Sequence, residues 1–326
     1  MKVSVIIPVY GVEKYIEKCA RSLFEQTLEH IEYIFVDDCT VDNSIAILNA
    51  VLEQYPLRKP HVKIIKHKQN LGAAVARKNG IMAARGEYIT HCDGDDWVDK
   101  DMYRAMYEQA KLEGLDLLTC GNFFIDKDGA STVTSSNAGS DKDKMLADIF
   151  GGRCRCSIAL RLVKRSIFLD NDFIYPSYHM WEDLVLTSQI IYFSKKIGVA
   201  ETPYYHYVYN PDSICNMDSD ELCIKRYEGS KNNVALLISF LKSVCLYQNY
   251  EKPLAVSKLR VRYFLYPLLK KDNKYLKLWR QTYSELNYRF LLKESRLDFK
   301  NKLRFIITML GLYSIINEDS LGVKQK

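Results

Sequence analysis

The feature that most constrains this chain is an alternation of short apolar runs with amphipathic stretches over its first ~120 residues, the signature of an α/β domain with a mainly parallel sheet. Val3 to Val9 is apolar except for Ser4, and it reads as a strand buried on both faces. Val12, Ile16, Cys19, Ala20 and Leu23 then recur at helical spacing. Tyr33-Ile34-Phe35-Val36 is a second strand. Asp42 can cap a helix carrying Ile45, Leu48 and Leu52, and Val62-Lys63-Ile64-Ile65 is a third strand. An Ala-rich helix runs from Gly72 to about Ala84, and Arg85-Gly86 turns the chain into a strand over Tyr88-Ile89-Thr90-His91-Cys92. Another helix and a strand from Leu115 to Cys120 follow. Residues 126–145 are polar and read as a loop, and from about Glu221 the pattern turns helical and aromatic. The division expected is an α/β domain over 1–220 and a helical, basic region over 221–326.

Ligands in open parallel sheets bind at the carboxyl ends of the strands. The polar clusters stand there: Pro8-Val9-Tyr10 after the first strand, Asp37-Asp38 after the second, and Asp93-Gly94-Asp95-Asp96 after the fourth. Three carboxylates within four residues repel one another unless a cation is near, and at a buried strand end that points to a divalent metal holding a phosphate. The plainer reading is an Asp-rich turn capping the next helix. The placement at the sheet edge favours a site. The plainer reading of Asp37-Asp38 is an Asx-type turn.

Composition is that of a folded globular protein, 48% hydrophobic and 26% charged. Nine scattered cysteines, with no Cys-x-x-Cys and no secretory signal, suggest reduced thiols in the cytosol and argue against zinc. No apolar stretch reaches the ~18 residues of a membrane span. The net charge of +6 is uneven: residues 251–326 hold 17 Lys/Arg against 7 Asp/Glu, and the rest holds 29 against 33. The cations form no recognisable nucleic-acid module. Phe299 to Asn317 joins Lys300, Lys302 and Arg304 to an apolar run. It suits a helix packed on the domain or across a homodimer, or one lying peripherally on the inner membrane surface.

Five motifs in order resemble those of the family 2 glycosyltransferases, inverting nucleotide-sugar enzymes of the GT-A fold: Val5-Ile6-Ile7-Pro8-Val9-Tyr10, Val36 to Ser44, Asn70 to Gly80, Asp93-Gly94-Asp95-Asp96-Trp97, and Trp181-Glu182-Asp183. The resemblance spans residues 3–183 and weakens beyond about residue 215. It implies a nucleotide-sugar donor, most simply UDP-linked, and a glycan or lipid-linked acceptor hydroxyl. It also implies Tyr10 packed on the nucleotide base, a base N–H donating to Asp37 or Asp38, Asp93 on the ribose or sugar, and Mn²⁺ or Mg²⁺ at Asp95 with Asp93 and Asp96 assisting. Asp183 becomes the base, with Glu182 beside it or as its substitute. Gly72 and Arg77 belong to the third motif, and Arg77 is expected to reach a phosphate or to buttress the Asp cluster.

Two stretches depart from the family pattern. Val208 stands where an Arg is expected ahead of Ser213, so His206 or Arg161 is expected to supply the missing positive contact to the diphosphate. Ala159-Leu160-Arg161-Leu162 replaces a Trp-x-Lys-Leu. A nucleotide-sugar-binding subunit with weak catalysis is the alternative that the Val208 departure leaves open.

Overall fold

The computed structural model describes residues 1–134, 139–213, 219–287 and 299–312. The chain forms two compact units, one of residues 1–145 with 154–210 and the other of 146–153 with 211–326. The strands are β1 (Val3–Val9), β2 (Ile31–Asp37), β3 (Val62–Lys66), β4 (Tyr88–His91), β5 (Trp97–Val98), β6 (Leu117–Thr119), β7 (Asn122–Ile125), β8 (Ser131–Thr134), β9 (Arg161–Lys164), β10 (Ile197–Val199) and β11 (Tyr205–Val208). The helices are α1 (Ile16–Phe24), α2 (Ser44–Glu53), α3 (Ala73–Ala83), α4 (Met102–Glu113), α5 (Lys142–Phe150), α6 (Arg165–Leu169), α7 (Glu182–Phe193), α8 (Asp220–Ser243), α9 (Tyr247–Tyr263), α10 (Asn273–Gln281) and α11 (Phe299–Met309).

A seven-stranded sheet in the order β10-β6-β9-β4-β1-β2-β3 forms the frame of the first unit. Its neighbours pair in parallel, except that β9 runs antiparallel to both β4 and β6. β1 and β2 are apolar enough to be covered on both faces, and all but Pro8 of their residues are buried. α1 lays Ile16, Cys19, Ala20, Leu23 and Phe24 into the same core. A smaller sheet, β5-β11-β7-β8, lies in the same unit. The polar stretch expected to be a loop over 126–145 instead contains β8 and the start of α5. The β7–β8 hairpin is closed by Asp126, whose side chain accepts from the Asp128 and Ala130 amides.

Strand order reverses between β1 and β4, the place where such sheets open a crevice. The register shows how. β1 pairs with β2 as far as Val9↔Asp37, but with β4 only as far as Ile6↔His91. Pro8 lies past that point and has no N–H to continue a ladder with β4. The two strands part there, and the chain leaves β4 directly into the acidic tetrad.

The second unit is helical. Arg262 on α9 is buried between the rings of Trp279 and Phe305, 4.8 and 4.9 Å from their centroids, and donates to the Thr282 and Tyr283 carbonyls. α11 therefore packs through Phe305 and Thr308 while Phe299 and Leu303 stay exposed. The last part of the Phe299–Asn317 stretch lies outside the described residues. No helix among the described residues is long and apolar enough to cross a membrane.

Candidate active site

The rim of the crevice is built first from main chain. Tyr10, half-exposed at the end of β1, precedes Gly11, whose amide donates to Thr40 Oγ1. Asp37 and Asp38 are both buried. Asp37 Oδ1 accepts from the Thr40 amide at 2.8 Å, closing the turn three residues on. Asp38 braces the next loop: Oδ1 meets His67 Nδ1 at 2.7 Å and the Leu71 amide at 2.8 Å, and Oδ2 takes the Gly72 amide at 2.7 Å. Gly72 ahead of α3 has φ +89°, and a Cβ there would stand 2.4 Å from the His179 ring. Only glycine fits that backbone and that neighbour.

The tetrad follows at the mouth of β4. Gly94 lets it approach β1, since a Cβ would come to 3.1 Å from the Pro8 carbonyl oxygen. The three carboxylates have different partners. Asp93 meets Arg77 Nη2 at 2.9 Å. Asp95 Oδ2 accepts from Asn210 Nδ2 at 2.9 Å. Asp96 is fully engaged: Tyr205 donates its hydroxyl to Oδ2 at 2.5 Å, and the Val208 amide donates to Oδ1 at 2.8 Å. The same Tyr205 hydroxyl accepts from the Asp93 amide, so one side chain sets the shape of the turn. Burial, followed by the charge of Asp93, raises the Asp95 carboxyl above its ordinary value; burial, followed by the charges of Asp95 and Asp93, raises Asp96 further. Added positive charge would relieve that repulsion. Among the described residues no group of three or more His, Cys, Asp and Glu side chains converges on a metal position. Asp93 and Asp95 fit a Mg²⁺- or Mn²⁺-type ion that takes only one or two carboxylates and completes its shell with phosphate oxygens and water.

Arg77 ties the tetrad to a distant segment. It is buried on α3, and besides Asp93 its Nη1 lies 3.2 Å from both Glu182 Oε1 and Asp183 Oδ1. One guanidinium thus faces three carboxylates, and both expected carboxylate groups come together around it. Glu182 and Asp183 form the first turn of α7, entered through Trp181 in the left-handed region at φ 64°. The helix N-terminus favours their charge. Asp183 Oδ2 accepts from the Ile158 amide at 3.2 Å. Its Oδ1 has the ion pair to Arg77 but no hydrogen-bond donor, so a lone pair is uncommitted. Burial, then the charge of Asp183, pushes Glu182 up to about 7. Burial also raises Asp183, opposed first by Arg77. Of the two roles expected for Arg77, buttressing the acidic cluster is the one its contacts fill.

The two expected substitutes for the missing Arg at 208 are otherwise employed. Arg161 is buried, and its Nη1 and Nη2 donate to the carbonyls of Ser157 and Arg155. His206 is stacked between Trp97, at 3.4 Å, and Phe123, at 4.7 Å, with Nε2 on Asp99 at 2.8 Å. Burial lowers its pKa, opposed by the hydrogen bond to Asp99. Both sit in closed packing, which spacing along the chain does not reveal. Ser213 is half-buried and belongs to the second compact unit. Tyr205, Asn210 and His67 were not anticipated. Tyr205 and Asn210 reach the tetrad across more than a hundred residues, and no local pattern marks them.

This sheet, with one antiparallel strand and an acidic turn at the reversal of strand order, is a GT-A fold. It superposes on residues 1–349 of Staphylococcus aureus TarS, solved with UDP-GlcNAc, with a TM-score of 0.67 at 19% identity, covering 100% of this chain and 91% of that one. The glycosyl transferase family 2 model matches residues 4–170, and the chain belongs to that family. It is 32% identical over 219 residues to the putative glycosyltransferase EpsH of Bacillus subtilis, covering 65% of this chain and 62% of EpsH. It is 31% identical over 219 residues to the poly(ribitol-phosphate) beta-glucosyltransferase of Bacillus spizizenii, covering 65% of this chain and 33% of that protein. The matched stretches therefore span less than two thirds of either relative.

Proposed function

We propose that this protein is an inverting glycosyltransferase that moves a sugar from a UDP-linked donor to a hydroxyl of a cell-envelope glycan. The observation that carries the reading is Arg77, which draws the tetrad and the Glu182-Asp183 pair together at the mouth of the β1–β4 crevice. UDP is favoured by the TarS complex, and the envelope acceptor by the name of the poly(ribitol-phosphate) relative.

In this reading the base packs on Tyr10 and donates an N–H to the Asp37-Asp38 pair. Pro8 and Val9 form the floor, and Gly72 and Gly94 keep the approach open. Asp93 and Asp95 would hold Mn²⁺ or Mg²⁺, which supplies positive charge against the departing diphosphate. Asp96, with both oxygens engaged, braces the turn. Asp183 takes the proton of the acceptor hydroxyl as that oxygen bonds to the sugar C1. The C1–O bond to UDP breaks with its electron pair leaving on the diphosphate, and the configuration inverts in a single displacement. Glu182, holding its proton up to about pH 7, keeps the charge around Arg77 in balance. A lipid-linked acceptor also fits. α11 leaves Phe299 and Leu303 exposed beside Lys300, a composition suited to the inner membrane surface.

UDP release with Mn²⁺ over a panel of nucleotide sugars and glycan acceptors tests the reading. One UDP-sugar should turn over, and Asp95→Asn should lose at least about a hundredfold in rate, the scale of one electrostatic contact to the leaving group. Tight UDP binding with no turnover on any donor would favour a binding subunit instead. Turnover unchanged in Asp95→Asn would remove the tetrad from the reaction.

A further inference from the structure

Val208 leaves the donor diphosphate without the arginine that the family motif places there, and the cations first expected to replace it have other partners. Arg77 faces three carboxylates, Arg161 is bonded to main-chain carbonyls, and His206 is stacked between two rings with Nε2 on Asp99. Lys18 lies over the Trp97 ring, 4.0 Å from its centroid. We infer that Arg155 supplies the missing contact: its guanidinium binds the diphosphate of the nucleotide-sugar donor. This inference rests on the donor reading above.

Four observations converge on Arg155. First, its guanidinium lies over the rings of Tyr207 and Phe124, 5.2 and 5.9 Å from their centroids, and has no carboxylate partner among the described residues. A guanidinium held over an aromatic ring by a cation–π contact can still turn N–H groups toward an oxyanion. Second, Tyr207 alternates along β11 with His206 and Val208, so it shares a face with Tyr205, whose hydroxyl holds Asp96 and the Asp93 amide. Arg155 therefore lies over the face of the small sheet that carries Tyr205. Third, the loop that carries it leads straight to the proposed base, since the Ile158 amide donates to Asp183 Oδ2. Arg155 is thus linked to the tetrad through β11 and to Asp183 through the Ile158 amide of its own loop.

Fourth, the backbone of this loop is pinned. Arg161 donates to the carbonyls of Arg155 and Ser157, and Thr187 Oγ1 donates to the Cys156 carbonyl at 2.6 Å. A preorganised loop loses little entropy when its side chain engages an anion. Arg161, expected to touch phosphate itself, becomes a positioning residue for Arg155. The cation that the motif carries on β11 is thus supplied by a neighbouring loop and rests on the aromatic next to the vacated position.

The test compares Mn²⁺-dependent binding of UDP with binding of uridine, by calorimetry, in the wild type, Arg155→Met and Arg155→Lys. Methionine keeps an apolar stem over the rings, and lysine keeps the charge. Arg155→Met should weaken UDP about ten- to a hundredfold, the worth of one charged hydrogen-bonded contact, and leave uridine unchanged; Arg155→Lys should retain more of the UDP affinity. UDP binding equal to wild type in Arg155→Met would overturn the inference, as would an equal loss of uridine, which would make the residue a support of the fold. Failure of the wild type to bind UDP or uridine would instead remove the donor reading on which the inference stands.

Discussion

The candidate site has two sides of unlike origin. The rim formed by the ends of β1, β2 and β4 comes from contiguous motifs on a parallel sheet, and its shape is set by main chain: Pro8 ends a ladder, Gly94 permits close approach, and Asp38 caps a loop. The opposite side is made by segments that return late in the chain, namely the 155–161 loop, the start of α7 and β11. Those segments set charge and orientation through Asp183, Tyr205 and Asn210. Arg77 alone among the described residues touches carboxylates from both. The rim supplies a place for a ligand, and the returning side adjusts what the carboxylates there can do.

Arg77→Met should break both sides at once. Removing the cation leaves buried carboxylates uncompensated, a loss of about 3–5 kcal/mol in stability that thermal or urea unfolding would register. Asp38→Ala strikes the rim only. It strands the Leu71 and Gly72 amides, and ~3 kcal/mol should be lost by the same measurement, with weaker uridine binding. Tyr205→Phe strikes only the returning side, removing one hydroxyl from Asp96 and the Asp93 amide. Its cost should be near ~1.5 kcal/mol, with UDP affinity falling more than uridine affinity.

The pH dependence of stability separates the sides further. Burial first, and Asp183 second, raise Glu182 from 4.5 to about 7, so the folded protein holds this proton more tightly than the unfolded chain. The contribution is full below about pH 4.5 and is lost as pH rises through about 7. In metal-free buffer the melting temperature of Glu182→Gln should therefore fall less than that of the wild type over this interval. An identical slope in both proteins would mean that Glu182 is not the group holding the proton.

The same division explains what could be read beforehand. β1, α1, β2 and α3 were legible because their signals are local: an apolar run such as Val3–Val9, helical spacing from Ile16 to Leu23, a glycine ahead of Ala73. The place of the tetrad at a strand end was legible because the apolar run Tyr88 to Cys92 leads directly into it. From sequence alone, His206 is a candidate for phosphate because it lies two residues from Val208, and Arg161 because it stands at the Lys position of the Trp-x-Lys-Leu pattern. What decides their roles is packing, carbonyl oxygens for one and two flat rings for the other. Tyr205 looked like one aromatic among many in Tyr204 to Tyr209, and only tertiary folding brings its hydroxyl to Asp96.

The account rests most heavily on Asp183 as the group that takes the acceptor's proton. The decisive measurement is the turnover rate of Asp183→Asn on the preferred UDP-sugar, taken together with its UDP dissociation constant. The account predicts a rate lower by about a hundred- to ten-thousandfold, the usual worth of a positioned general base, with UDP bound within a few-fold of wild type. A rate within tenfold of wild type would contradict it.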